Sequence, residues 1–133
     1  MKFLCLICAE KVMEQMPTAH AKKHFKEYVK FTKWLKATGR FIGANRLKPA
    51  AAATTVRIRN RKISTTDGPF AETKEQIGGY YLIEADDLRE AIQVAAKIPG
   101  AQLGCVELRP IADDPQTLAL RFDTEQRSSK AKR

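Results

Sequence analysis

Residues 67–85 read DGPFAETKEQIGGYYLIEA, and this stretch decides how the rest of the chain is arranged. Its first three residues, Asp-Gly-Pro, predict a tight turn. The carboxylate can accept nearby amide hydrogens, glycine tolerates positive φ and proline fixes its own φ. We expect Phe70 to anchor this turn in the core. Beyond two glycines, the aromatic and branched residues at 80–83 are typical of a strand.

Ionisable residues crowd the loop between this turn and the strand. Four lie within nine positions: Asp67, Glu72, Lys74 and Glu75. A carboxylate buried there beside Tyr28 or Tyr80 is able to act as a general base. The alternative is that Asp67 only caps its own turn and that the loop is simply solvated. The residues leave both interpretations open.

The longer run TDGPFAETKEQIGGYYLIEADDLREAIQVAAKIPGAQLGCVELRP, residues 66–110, closely resembles the YCII-related family in its DGPF-type branch. The resemblance continues back through ATTVRIR (53–59) to the opening MKFLCLICAE, so that it covers about residues 1–111. It implies a ferredoxin-like α+β domain of the dimeric α/β-barrel type. It also implies that some relatives are small enzymes that act on small molecules, and that DGPF-type members accompany alternative sigma factors.

Some YCII relatives carry a histidine on the first helix and an aspartate in a DPF motif after the second helix, as an acid–base pair. The matching positions here hold Tyr28 and the tripeptide Ile98-Pro99-Gly100. That mechanism is therefore not carried over. The resemblance therefore supports only a site formed by the turn at Asp67 and the residues around it. We predict Asp67 and Tyr28 as catalytic residues and the following ligand contacts: Phe70, Glu72, Lys74, Glu75 and Tyr80.

The order of the local patterns also predicts a ferredoxin-like α+β fold. Two helices should cover one face of a mainly antiparallel sheet, and the apolar opposite face should be covered by a second copy of the chain. On the first helix we expect Phe25, Tyr28, Val29, Thr32 and Leu35 to form the core face. The predicted helices span 18–37 and 88–97, and the predicted strands span 2–9, 41–47, 54–59, 62–66, 80–83, 106–109 and, at an edge, 117–122.

Length and composition indicate one domain. The 133 residues are 44% apolar and 29% charged, as in a globular protein. We divide them into a domain at 1–111 and an extension at 112–133, whose last residues from 127 onward we expect to be disordered. No apolar run reaches the ~18 residues that a membrane helix needs. The opening segment predicts a buried first strand rather than a secretion signal, and we expect a cytoplasmic protein.

Positive charge is concentrated in the first half of the chain. Residues 1–66 carry +12 and residues 67–133 carry −3, giving the net charge of +9. This asymmetry favours an anionic partner or two faces that attract each other in a dimer. Lysines along one flank of the first helix suit weak nucleic-acid binding or a solvated face. The solvated interpretation is preferred, because the sequence has no RNP-like motif or helix-turn-helix.

Cysteine and histidine patterns give no metal site. Cys5 and Cys8 form a C-x-x-C, but on a strand they point to opposite faces, so we expect buried, reduced thiols at these positions and at Cys105. His20 and His24 lie one helical turn apart with Glu27 nearby, and a surface pair without function is the preferred interpretation.

We therefore predict a dimeric domain that binds a small molecule in a cleft beside the Asp67 loop. As an enzyme it would need no metal or organic cofactor. The alternatives are a regulatory or protein-interaction module linked to transcription and a weak nucleic-acid binder.

Overall fold

The computed structural model describes residues 1–9, 15–71 and 76–120. The elements follow the order strand, helix, four strands, helix, strand, with a short helical turn at the end. Their bounds are β1 Lys2–Cys8, α1 Thr18–Ala37, β2 Phe41–Arg46, β3 Thr54–Arg59, β4 Lys62–Asp67, β5 Gly79–Glu84, α2 Leu88–Ala95, β6 Cys105–Pro110 and α3 Pro115–Leu118, with 3₁₀ turns at Ala50–Ala52 and Pro99–Gln102.

Four strands form an antiparallel sheet in the order β2-β5-β1-β6. Without β3 and β4, the chain runs strand, helix, strand, strand, helix, strand, which is the ferredoxin-like α+β arrangement. The predicted fold class is therefore confirmed. The β3 and β4 strands form a separate two-stranded sheet inserted between β2 and β5.

The core lies between one face of the four-stranded sheet and the two long helices. Alternate residues of β1 point into it, so that Phe3, Cys5 and Ile7 are buried. Ile83 from β5 and Leu35 from α1 are fully covered in the same cluster. On the other face of the sheet the intervening residues, among them Leu4, Leu6 and Leu82, are only half-buried.

The core face of α1 differs from the predicted one. The helix buries His24, Phe31 and Leu35, whereas Phe25 is 65% exposed. Phe31 meets the ring of Tyr81 edge-on, with their centroids 5.1 Å apart. The prediction is confirmed for Leu35 and for Tyr28, which packs against the core, and is wrong for Phe25. It assigned the broad apolar stripe to one surface, whereas the sheet covers only the part of it nearest Phe31.

The β3–β4 hairpin turns at Asn60 and Arg61, the two residues between the predicted strands 54–59 and 62–66, and their φ values of 53° and 61° are those of a two-residue hairpin turn. Its apolar side chains are in solvent, with Ile63 75% exposed. Phe70, predicted as a core anchor, is 83% exposed and lies beside the Arg57 guanidinium, 5.9 Å from its ring centroid. The anchor prediction was wrong because the turn ends the separate hairpin, away from the main core.

Capping explains the remaining ends. Asp87 accepts a hydrogen bond from the amide of Glu90 at 2.8 Å and begins α2. The predicted edge strand at 117–122 is wrong over its described part, since Asp114 caps α3 by accepting from the Thr117 amide at 3.0 Å. Residues 121–133, including the end of that strand and the predicted disordered tail, lie outside the described residues. Across the described ranges, no helix is long and apolar enough to cross a membrane.

Candidate functional site

A cavity of about 520 Å³ lies between α1 and the β2–β5 edge of the main sheet. We call it the α1 cavity. The helix contributes one long wall, with His24, Phe25 and Tyr28 among its lining side chains. Ile7 lines it from β1, and the segment 78–81 lines it from the start of β5.

Tyr28 is held at the inner end of this wall by backbone. Its hydroxyl oxygen accepts a hydrogen bond from the amide of Gly100 at 3.0 Å. Burial raises the pKa of Tyr28 to about 12, Tyr81 nearby adds to the rise and the Gly100 hydrogen bond opposes it. Near neutral pH the hydroxyl therefore keeps its proton, which remains available for donation.

Gly100 is required for this contact. An added Cβ at position 100 would lie 2.6 Å from the Tyr28 hydroxyl and 2.7 Å from Ile7. Real Cβ atoms do not come so close to other heavy atoms, so a larger residue would push the 3₁₀ turn away from the helix. The short Pro-Gly segment after α2 thus fixes where the Tyr28 hydroxyl lies.

A second hydroxyl chain fixes Tyr81. The Thr32 hydroxyl donates to the Tyr28 carbonyl at 2.8 Å and lies 2.7 Å from the Tyr81 hydroxyl. Because Thr32 has one hydrogen and uses it on the carbonyl, Tyr81 is the donor in the second bond. The Tyr28 and Tyr81 rings lie parallel, with centroids 6.5 Å apart. Both rings are therefore fixed in position.

His24 is the buried polar side chain of the wall. It is 9% exposed, and its ring meets Tyr28 edge-on at a centroid distance of 4.9 Å. Its Nε2 is shut off from solvent and has no hydrogen-bond partner among the residues that the structure describes. Burial lowers the pKa of His24, while Glu27 opposes the change. Near neutral pH the imidazole is uncharged, and its Nε2 keeps a hydrogen-bonding capacity that the described residues leave unused.

The entrance of the α1 cavity is basic. Lys33, Lys36 and Arg46 contribute to its lining, and the part of the lining that the structure describes contains no Asp or Glu. Beside Arg46, the Asn45 side-chain amide donates to the Tyr80 hydroxyl at 2.8 Å and holds that ring at the sheet edge. The cavity therefore combines aromatic walls with a cationic entrance.

The predicted site residues divide into three groups. Tyr28 and Tyr80 line the α1 cavity. Asp67 is exposed at the end of β4, and neither it nor Phe70 is among the described lining residues. Three predicted contacts lie outside the described residues: Glu72, Lys74 and Glu75. The structure therefore does not place Asp67 beside Tyr28, and the far end of its loop, at Gly78, is what reaches the cavity.

His24 was missed by the interpretation of the sequence. It was treated as half of a surface pair, but His20 is exposed and His24 is buried, so the two imidazoles occupy different environments. In the described ranges no group of three or more His, Cys, Asp or Glu residues is placed to hold a metal. The available signal was the position of His24, four residues before Tyr28 and seven before Phe31, which puts it on the same side of the helix.

Comparison with known proteins identifies the family. The model of the YCII-related domain matches residues 1–114. The chain belongs to the YCII-related family. An uncharacterised protein of Rhizobium meliloti (strain 1021) is 45% identical over 69 residues, which are 50% of this chain and 56% of that relative. The chain thus aligns with little more than half the length of this relative.

Among solved structures, 5-chloro-2-hydroxyhydroquinone dehydrochlorinase from Burkholderia phenoliruptrix AC1100, in complex with 2,5-dihydroxybenzoquinone, superposes with a TM-score of 0.47 and 13% identity. The match covers 87% of this chain and 98% of the dehydrochlorinase. Assignment to the DGPF-type branch, and the division of the chain after residue 111, stay predictions.

Membership of the family gives the Tyr28 contact a further meaning. Tyr28 and Gly100 occupy the positions that the resemblance relates to the acid–base histidine and to the DPF motif. In this chain the two positions are in direct contact through the hydrogen bond from the Gly100 amide to the Tyr28 hydroxyl. The structure thus brings Tyr28 and Gly100 together, and their correspondence to the acid–base pair of those relatives stays a prediction.

Proposed function

We propose that the α1 cavity binds a small organic molecule through the His24 imidazole and the Tyr28 hydroxyl. The observation that carries the proposal is Nε2 of His24, which is buried in the cavity wall and has no partner among the described residues. A buried polar group without a partner costs about 1–3 kcal/mol. Because Nε2 is shut off from solvent here, the imidazole must turn toward the cavity to meet a ligand. A ligand that then gives it a partner recovers part of that cost, which is how ligand pockets gain specificity from a few polar groups.

The lining indicates the class of ligand. The rings of Phe25, Tyr28 and Tyr81 give flat apolar walls, and Lys33 and Arg46 bring positive charge to the entrance. A flat, partly apolar molecule with one anionic group, such as a carboxylate or phenolate, fits both features. Its ring would cover the exposed Phe25, and its anionic group would lie near the entrance.

The same two polar groups suit proton transfer. An uncharged imidazole is able to accept a proton, and a tyrosine that keeps its own proton is able to donate a hydrogen bond to an oxygen that gains negative charge. We assign His24 the role of general base and Tyr28 the role of hydrogen-bond donor. This chemistry requires no metal or organic cofactor. The sequence-based assignment of Asp67 as the base stays a prediction; Asp67 is exposed and is not among the described lining residues of this cavity.

The test uses matched pairs of aromatic carboxylates and their carboxamides, measured by titration calorimetry. We expect the carboxylate to bind more tightly in each pair that binds. Tyr28→Phe removes one hydrogen-bonding hydroxyl and should weaken binding about 3- to 10-fold, equivalent to about 0.5–1.5 kcal/mol. Lys26→Gln is the control, because Lys26 is exposed on α1 outside the described lining and should lose little affinity.

Nuclear magnetic resonance of histidine-labelled protein locates the binding. The His24 imidazole signals should move on titration, and those of the exposed His20 should not. Equal affinity of Tyr28→Phe and the wild-type protein, together with unmoved His24 signals, would refute the proposal. The dimeric state, the cytoplasmic location and the sigma-factor-linked alternative stay predictions, since no contact in the described residues bears on them.

A further inference from the structure

Two cysteines face each other across the β1–β6 strand pair. Cys8 is the register partner of Cys105, and directly opposed residues of antiparallel strands project on the same side of the sheet. This is the side away from the helices, because Cys5, three residues earlier on β1, is buried in the helix-covered core. The pair lies at the end of the ladder on the edge strand β6, so the expected second copy on this face must leave the start of β6 open to solvent. The expectation of three buried thiols was wrong here, since Cys8 is half-buried and Cys105 is exposed.

The ladder sets the distance between these two residues. The amide of Ile111 donates to the Lys2 carbonyl at 2.9 Å, which marks that position as a hydrogen-bonded pair. Hydrogen-bonded and non-hydrogen-bonded pairs alternate, so six residues along β1 the Cys8–Cys105 pair is again a hydrogen-bonded one. Such pairs have Cα atoms about 5.5 Å apart, within the range of about 4.4–6.8 Å found in disulfides.

A glycine keeps the two strands close at this point. An added Cβ on Gly104 would collide with the Cys8 carbonyl oxygen and lie 3.0 Å from the Cβ of Ala9. Any larger residue would therefore push the start of β6 away from the end of β1. The approach of the Cys105 backbone to Cys8 thus depends on Gly104.

We propose that Cys8 and Cys105 form a reversible intramolecular disulfide with a small-molecule disulfide, RSSR, as the oxidant. The exposed Cys105 loses its proton and attacks one sulfur of RSSR, which forms a mixed disulfide and releases one RS⁻. Cys8, after losing its proton, attacks Sγ of Cys105, closes the cross-strand bond and releases the second RS⁻. Two thiols are oxidised, one RSSR is reduced to two thiols, and the two protons pass to solvent or to the released thiolates.

The position of the bond relates it to the α1 cavity without depending on the proposed ligand. Ile7, which lines the cavity, is the neighbour of Cys8, and the 3₁₀ turn that holds Gly100 against Tyr28 ends shortly before Cys105. A bond between the two cysteines ties together the ends of these two segments. Oxidation is thus a modification placed next to the backbone that fixes Tyr28.

The test treats the full chain with oxidised glutathione, alkylates the remaining thiols and maps the peptides by mass spectrometry. We expect one linked peptide pair joining Cys8 to Cys105 and two hydrogens lighter than the reduced pair. Cys5, which is buried and whose pKa burial raises to about 12, should be alkylated only after unfolding. Cys8→Ser should stop at a glutathione adduct on Cys105, and Cys105→Ser should give neither product.

Gly104→Ala supplies an independent variant, because it separates the strands and keeps all three thiols. It should lower the yield of the linked pair and leave more of the mixed adduct on Cys105. Wild-type protein that accumulates only the glutathione adduct, or only chains linked through Cys105, would overturn the proposal. The readout is the peptide map, so it stands or fails separately from binding in the α1 cavity.

Discussion

Replacing His24 with leucine measures the cost of the buried imidazole. Leucine occupies a similar volume, favours the helix more than histidine does and needs no hydrogen-bond partner. The structure leaves Nε2 without a partner among the described residues, and such a group costs about 1–3 kcal/mol. We expect His24→Leu to raise the free energy of unfolding by about 1–2 kcal/mol near neutral pH, toward the lower part of that range because the neighbouring packing must adjust.

The pH dependence of the free energy of unfolding gives this prediction a second test. Burial holds the pKa of His24 in the folded chain below its value in the unfolded chain, and Glu27 only partly opposes this. The unfolded chain therefore binds the proton more tightly, so the wild-type protein loses stability as pH falls through about 6.5. The loss is at most about 1.4 kcal/mol per pH unit and ends at the folded pKa. The advantage of His24→Leu should grow as the solution is acidified from neutrality.

Urea unfolding at a series of pH values, followed by circular dichroism, measures both effects. His20→Leu is the control, because His20 lies one turn earlier on α1 and is exposed. Its stability should stay within about 0.5 kcal/mol of the wild-type value. Destabilisation of His24→Leu by more than about 1 kcal/mol, with a pH profile parallel to that of the wild-type protein, would refute the reasoning. That result would mean that the imidazole has a partner in the folded chain.

Four further predictions test other parts of the structure. Gly100→Ala should destabilise the fold by about 1–3 kcal/mol in urea, because its Cβ would clash with the Tyr28 hydroxyl, and an unchanged midpoint would contradict this. Asp87→Ala should cost about 1 kcal/mol through the lost α2 cap, and Asp87→Asn should recover most of it in the same assay. Asp67→Asn, at an exposed position, should change stability by less than about 0.5 kcal/mol and leave calorimetric ligand affinity unchanged, whereas lost affinity would restore the Asp67 loop as the site. The wild-type chain should sediment as a dimer at micromolar concentration, and Ile63→Lys in the exposed hairpin should shift it toward monomer with an unchanged circular dichroism spectrum, whereas a wild-type monomer would refute the assembly.

The order of the elements could be predicted because their ends carry local signals. Gly39, with φ of 73°, ends α1, and Asp87 begins α2 with its side chain. Asn60 and Arg61 adopt the positive φ that a two-residue hairpin requires. Each signal acts within a few residues of the chain, so it can be recognised in a single sequence. Strand and helix order then leaves few topologies, of which the ferredoxin-like one is realised.

The separation of the hairpin from the main sheet could not be predicted in the same way. Val56 and Ile58 alternate with charged residues as residues of a half-buried strand do, yet they are 62% and 64% exposed. An alternating pattern indicates that one face of a strand is apolar, but it does not indicate what covers that face. An isolated two-stranded hairpin is marginal in water, so these side chains need cover from outside the described contacts of one chain. This need adds a physical reason for expecting a second copy to the one given by the apolar sheet face.

The helix α1 shows why the fold was easier to predict than the site. A helix that borders both a core and a ligand cavity has an apolar stripe wide enough for both, and periodicity does not divide the two parts. Phe25 and Val29 belong to the predicted core face, but both line the α1 cavity and are exposed. Phe31, which the predicted core face did not include, is buried against Tyr81. Phe25 and Val29, which the sequence pattern assigned to the core, are thus side chains that a ligand would cover.

If the cavity were instead only a packing defect, replacing Phe25 with a polar residue would leave ligand affinity unchanged. Phe25→Ser should weaken ligand binding and change the free energy of unfolding by less than about 0.5 kcal/mol, the usual limit for an exposed position.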